Sequence, residues 1–372
     1  MLRVPMGLAE RRALYEKIEA VRGRHLLALF LSSRSGAPAL MASDVLPALF
    51  RQIRALPADE KGVDILIESN GGQADVAIRF NDVLREVRRD VHVLVPRNAF
   101  SAATMLALGG TRIMMHPLSC LGPIDPQLRI QRADGSFDQV GAEDIKAFVD
   151  FLNDEVRITD QAQVAAVFTR LFEDVRPIQL GVARRASMRS LAIAKELLLR
   201  HAESHEAHTK VETIAERLAG GYHAHGHPIS PTEARAMGLP VDVASPDLAD
   251  LMWSVLMEAD GEMETETPLQ PYAHMMRLWR ERMDRWKSEL AAAAATAAPG
   301  APTSAPLAQE IEALKISLQI PIHFSLTATM GLVESVRCAS RCDIALHYIG
   351  GVTPKGGELS AGPGAAVWKA VD

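Results

Sequence analysis

Between His25 and Met115 the chain repeats one pattern three times: a short apolar run, a turn, then a longer stretch with helical spacing. His25 to Leu31 is apolar and strand-length, and Ala42 to Ala55 carries Val45, Leu46, Leu49, Phe50 and Ile53 at helical intervals. Val63 to Ser69 is a second strand, stopped by Asn70-Gly71-Gly72, and Asp75 to Arg88 is again amphipathic. Val91 to Pro96 is a third strand, Ser101 to Gly109 a small-residue helix, and Arg112 to Met115 a fourth strand. Apolar runs with no polar alternation are buried on both faces, and short strand–helix–strand units force a mostly parallel sheet sheathed in helices.

After this the character changes. Residues 141–220 are expected to be almost wholly helical, through Ile145, Phe148, Val149 and Leu152, then Val164, Val167 and Leu171, then Leu191 to Leu199. A turn from His223 to Pro231 leads to a short helix, and Gly238 to Val243 reads as the last strand of the core. The expected organisation is an N-terminal helix over 1–25 and a core over 26–246 holding the helical insertion at about 141–220. A helical extension follows over 247–290, with Trp279 and Trp286 on its apolar side, then a disordered Ala/Pro/Ser/Thr-rich linker over 291–306. Residues 307–372 form a small appended module, strand-like around Cys342 to Ile349 and irregular from Gly350.

Bulk chemistry removes several functions. A formal charge of -6, from 40 basic and 46 acidic residues, gives no attraction to phosphate backbones, so nucleic acid is not an expected partner. No apolar run reaches the ~18 residues of a membrane span, and the N-terminus lacks a signal peptide's apolar centre. Three cysteines, Cys120, Cys338 and Cys342, form no disulfide framework and fit a reducing, cytoplasmic compartment. With His347, the last two lack a fourth metal ligand. His201, His205 and His208 share a helical face, and His223, His225 and His227 alternate along an extended segment. Neither group has the glutamate of a zinc-protease motif, so both are read as structural and no metal or other cofactor is expected.

Three segments can carry chemistry. Glu68-Ser-Asn-Gly-Gly follows a buried strand, and the two glycines permit a tight turn and close backbone approach. Val95 to Thr104 runs from a strand, through a proline and a short connector, to Ser101 among small residues at a helix start. That is the layout of a nucleophile elbow, although a serine there also serves as a plain helix cap. Leu121-Gly-Pro-Ile-Asp-Pro-Gln is a rigid bend, read as shaping a groove.

Taken together, the Ser69-Asn-Gly-Gly turn, Ser101-Ala-Ala-Thr-Met-Leu-Ala-Leu-Gly and the Gly122-Pro-Ile-Asp-Pro-Gln bend resemble the Clp-fold serine proteases. Within these the chain is most similar to the serine dehydrogenase proteinase family, related to signal peptide peptidase A. Further matching stretches are Arg12 to Glu19, Leu180 to Arg185, Ala224 to Ser230 and Gly238 to Val241, so the resemblance spans roughly residues 10–245.

The resemblance implies an α/β fold, the Clp-protease/crotonase-like spiral of β-β-α units with a helical subdomain. It implies a cytoplasmic, ATP-independent serine endopeptidase acting on peptides or proteins and assembling as a homo-oligomer. Ser101 is then the nucleophile, and the backbone around Gly71, Gly72 and Ala102 the oxyanion hole. Arg185 stands where some relatives carry a lysine base, and arginine stays protonated. Lys195, Lys146 and His116 therefore stay open as alternative bases, and a catalytically inactive scaffold stays open beside the peptidase. Crotonase-like acyl-CoA chemistry is a third reading, weakened by the serine at the elbow.

Overall fold

The computed structural model describes residues 7–131, 137–158, 160–174, 177–201, 205–222, 224–296, 321–353, 356–362 and 364–371. Helix α1 (Leu8–Arg22) precedes strand β1 (His25–Leu31). Helix α2 (Leu46–Arg54), β2 (Val63–Glu68), α3 (Ala74–Val87) and β3 (Val91–Val95) follow. The short β4 (Asn98–Ala99) enters α4 (Ala102–Leu108), then come β5 (Arg112–Met115) and the short β6 (Cys120–Leu121). Strands β7 (Gln127–Gln131) and β8 (Phe137–Gly141) form a hairpin ahead of α5 (Ala142–Asp150), α6 (Gln161–Asp174), α7 (Pro177–Leu199) and α8 (His205–Gly220). Helix α9 (Pro231–Met237), β9 (Val241–Val243), α10 (Pro246–Met263) and α11 (Pro271–Thr296) come next. The chain closes with β10 (Ile322–Glu334), β11 (Ala339–Thr353), β12 (Gly356–Ala361) and β13 (Ala365–Val371).

Strands β1, β2, β3, β5 and β9 lie side by side and parallel, as unbroken apolar runs dictate. Alternation along β1 divides its buried side chains between two cores. Leu27, Leu29 and Leu31 meet residues of α2, α3, α4, α7 and α8. Leu26, Ala28 and Phe30 meet Tyr15 and Ile18 of α1 and Met252, Val255 and Leu256 of α10. Twice in succession a strand of this sheet is followed by a two-residue strand of another: β3 by β4, then, after α4, β5 by β6. The architecture is thus the mixed α/β arrangement expected for the Clp-like class, a central sheet covered by helices.

The C-terminal segment differs from the sequence reading. Strand β10 pairs antiparallel with β1, Ala28 opposite Glu334 and Leu31 opposite Gly331, so the last strands continue the central sheet. Beyond Gly350 the chain is not irregular. Strand β12 pairs with Tyr348–Thr353 of β11 and β13 with Ala339–Ala345, end to end along one neighbour. Glycines hide the period-2 pattern there, but a long partner strand supplies the hydrogen bonds whatever the side chains. Helix α11 reaches Thr296, so the alanines at 291–295 are helical, as alanine's propensity favours. Residues 297–320 lie outside the described residues.

Helix α1 buries Arg11 beside Tyr15 and Ile18. The guanidinium donates to Glu334 of β10 at 2.9 and 2.8 Å, and the Tyr15 hydroxyl donates to the same carboxylate at 2.7 Å. Arg11 also reaches Glu262 of α10 at 3.3 Å. Arg11 and Glu334 are each 3% exposed, so their desolvation is offset only while both partners are present. Glu334→Ala is therefore expected to cost about 3–5 kcal/mol by removing the main buried partner of Arg11. Urea unfolding measures this, and a loss under 1 kcal/mol would contradict it.

Candidate active site

The site begins where β2 ends. Gly71 has φ 99 and Gly72 φ 150, backbone that side chains rarely adopt. Space forbids side chains as well. A Cβ on Gly71 would lie 2.7 Å from both the Phe100 carbonyl oxygen and Ser101 Cβ, and one on Gly72 2.2 Å from the Met41 carbonyl oxygen. Met41 fixes the turn from the other side, donating to Gly71 O and accepting from Gln73 N, each at 2.7 Å. The turn therefore presses directly on Ser101.

Ser101 sits between β4 and α4 with φ 52 and ψ −114. A non-glycine residue with positive φ is strained by about 1–3 kcal/mol and persists only where its surroundings hold it. Here Phe100 N donates to Ser69 O and Ser69 N to Asn98 O, both at 3.0 Å, while Met105 N donates to Ser101 O at 3.0 Å. The buried Thr104 hydroxyl donates to Ala99 O at 2.6 Å and lies 2.9 Å from Gly122 O, and Gly122 N reaches it at 3.1 Å. Ser101 is half-buried and its hydroxyl does not cap α4, against the simple cap reading. Among the described residues, neither the Gly72 nor the Ala102 N–H donates a hydrogen bond. The first N–H groups of a helix have no partner within it.

The Gly122 bend lies under the elbow, since a Cβ there would come 2.3 Å from the Phe100 ring. Leu121 and Ile229 exchange backbone hydrogen bonds of 3.0 and 2.9 Å, and Ile124 N donates to Leu218 O at 2.9 Å. These bonds bring the segment after α8 alongside the bend. There His225 Nδ1 lies 2.7 Å from Asp125 Oδ1, and Gln127 Nε2 donates to Asp125 Oδ2 at 3.0 Å. The Asp125 side chain is 11% exposed and that of His225 31%, so the carboxylate is covered and the imidazole reaches solvent. Nearby, His227 stacks on Tyr222 at 4.5 Å, and Tyr222 donates to Glu233 at 3.0 Å, which stiffens the loop.

The sequence reading missed this pair. It took Asp125 as a groove-shaping residue and His225 as structural, because the two are 100 positions apart. The available signal was that both fall in stretches carrying the family resemblance.

Two of the bases considered from sequence make other contacts. Lys195 of α7 is ion-paired with Glu212 of α8. The His116 ring stacks on Trp253 of α10 at 5.2 Å and its Nδ1 accepts the Leu118 N–H at 3.1 Å. Burial pushes its pKa down. Among the described residues, no hydrogen bond joins Ser101 to Lys195, His116 or His225. The Lys146 side chain lies outside the described residues, as do those of His205, His208 and His223. His201 contacts Gly109 O at 2.9 Å. Among the described residues no group of histidines, cysteines and carboxylates is arranged to hold a metal, and no helix is long and apolar enough to cross a membrane.

One buried acid stands at the root of the site. Burial pushes the Glu68 carboxyl up to about 7 despite Arg97 and the Asn98 N–H, which favour its ionised form. A folded-state pKa above the unfolded value means that folding retains a proton which the unfolded chain has released. Stability is therefore expected to fall as pH rises from about 4.5 to about 7 and then to level. Glu68→Gln should flatten that slope in urea unfolding across pH 4–8; an unchanged slope would assign it to another group.

Residues 39–174 match the family model described as ClpP-like SDH-type serine proteinase. This segment holds the glycine turn, Ser101 and Asp125. Two uncharacterised proteins of Methanocaldococcus jannaschii are similar, one 28% identical over 202 residues (54% of this chain, 59% of that protein). The other is 22% identical over 201 residues (53% and 58%), so the chain spans less than two thirds of either relative. Two solved structures of a 1510-N membrane-bound stomatin-specific protease are also similar. A mutant form is 17% identical, covering 59% of this chain and 80% of that one, with a TM-score of 0.35. A second mutant, in complex with a substrate peptide, is 20% identical, covering 55% and 71%, with a TM-score of 0.34.

Proposed function

We propose that this chain, whose residues 39–174 match the model of the ClpP-like SDH-type serine proteinases, is an ATP-independent serine endopeptidase whose working residues are Ser101, His225 and Asp125. The observation that carries this reading is the strained Ser101 backbone, φ 52, held against a glycine turn that admits no side chain. Strain of that kind is retained where it aims a side chain.

In this reading the Ser101 hydroxyl attacks the scissile carbonyl carbon. His225, held by its 2.7 Å contact with Asp125, is assigned as the general base that takes the serine proton on Nε2. Asp125 orients the ring and steadies the imidazolium that forms. The backbone N–H groups of Gly72 and Ala102 receive the oxyanion; one such donor contributes about 3–4 kcal/mol of transition-state stabilisation in serine proteases. His225 then protonates the leaving amine; water attacking the acyl-enzyme gives a proton to His225, which passes it to the Ser101 oxygen as the acyl bond breaks and the second product departs. A base fixed by a covered carboxylate removes the need for a desolvated lysine.

A fluorophosphonate probe at pH 8 tests this. It should label the wild type and not Ser101→Ala. His225→Ala should slow labelling by roughly 10²–10⁴-fold, the usual contribution of a general base. A folded wild type that remains unlabelled would instead favour a scaffold role, and turnover of short acyl-CoA thioesters would favour crotonase-like chemistry.

A further inference from the structure

Glu68 is the last residue of β2, at the foot of both arms of the site. Four residues on is Gly72; across from it, Arg97 and Asn98 begin the connector that ends at Ser101. The carboxylate is 3% exposed. One oxygen accepts the Asn98 N–H at 2.8 Å, and the other faces Arg97 Nε and Nη2, each at 3.1 Å. Arg97 in turn donates to Asp260 of α10 at 2.7 and 3.3 Å. On the far side of the connector, Cys120 N donates to Arg97 O at 2.8 Å and Cys120 Sγ to Asn98 Oδ1 at 3.2 Å.

We propose that Glu68 is a positioning residue for the nucleophile, its carboxylate fixing the connector through the Asn98 amide and Arg97 and so setting the separation between the glycine turn and Ser101. The inference rests on the reading of Ser101 as nucleophile. A buried carboxylate is a poor choice for filling space, because an apolar residue of similar volume packs there without a desolvation cost. Its geometric gain is a directed hold on one N–H, three residues before the serine. The Ser69–Ala99 bridge already aligns the two segments; Glu68 adds the contact that stops Asn98 sliding along it.

The charged and titratable groups facing Glu68 are Arg97 on its own connector, Asp260 from α10 and the Cys120 thiol from β6. Arg97 stabilises the ionised carboxylate, while Asp260 opposes it. Ionisation strengthens the hold on both Asn98 and Arg97.

The test is fluorophosphonate labelling of the full chain, separated into a maximal rate and an apparent affinity, for wild type, Glu68→Met and Glu68→Gln, with melting temperatures alongside. Methionine keeps the volume and removes the acceptor; glutamine keeps an acceptor for Asn98. The expected result is a maximal rate at least 10-fold lower in Glu68→Met at unchanged affinity, restored to within about 3-fold by Glu68→Gln. Between pH 5 and 9 the wild-type rate should rise more steeply than that of Glu68→Gln, a comparison that decides even if Glu68→Met does not fold. A wild-type maximal rate in folded Glu68→Met, or the same pH profile in wild type and Glu68→Gln, overturns the proposal and leaves the peptidase reading intact. Failure of that reading looks different: wild type and Ser101→Ala are then equally unlabelled, and the proposal falls with it.

Discussion

The site depends on one backbone pairing. Ser69 donates to Asn98 and accepts from Phe100, so the continuations of β2 and β3 stay zipped for two more hydrogen bonds after both strands have left the central sheet. Without this pairing the glycine turn and Ser101 would be separate loop tips, free to drift. With it, the Gly71 backbone comes close enough to Ser101 that no Cβ fits between them. The cost of the serine's positive φ is spread over the surrounding bonds, with Thr104 tying the elbow to the Gly122 bend. Rigid support of this kind lets a strained residue persist in a molecule whose net stability is small.

Charge is placed by the same logic. At the opposite end of the strands from the site, Asp64 is 1% exposed and takes Arg22 at 2.7 Å together with Arg24. Near the site, Glu68 takes Arg97; behind the sheet, Glu334 takes Arg11. Each of these buried acids joins segments from different parts of the chain. Hydrophobic burial condenses the layers, and these pairs fix where one layer stops against the next.

What the sequence made legible was local. The unbroken run Leu26 to Leu31 announced a strand buried on both faces, Gly71-Gly72 announced a turn, and a serine among alanines announced the elbow. What stayed hidden has no local signature. The Arg11–Glu334 pair joins residues 323 positions apart, and nothing near Arg11 marks it for burial. Asp125 and His225 meet because the isolated Leu121–Ile229 bridge and the Ile124–Leu218 hydrogen bond bring their segments together. The strands after Gly350 carry too many glycines to show alternation, and only the long β11 beside them makes them strands.

The pairing of β10 with β1 bears on how the protein is made. Nearly three hundred residues of chain separate strand β1 from its partner. At ~5–20 residues per second, a nascent chain on the ribosome exposes one hydrogen-bonding edge of that strand for roughly fifteen seconds to a minute. This edge is apolar and untempered by proline or lysine, the features that deter pairing between molecules. Late closure of that edge makes strands β10 to β13 a built-in seal, and a chain lacking them is prone to self-association.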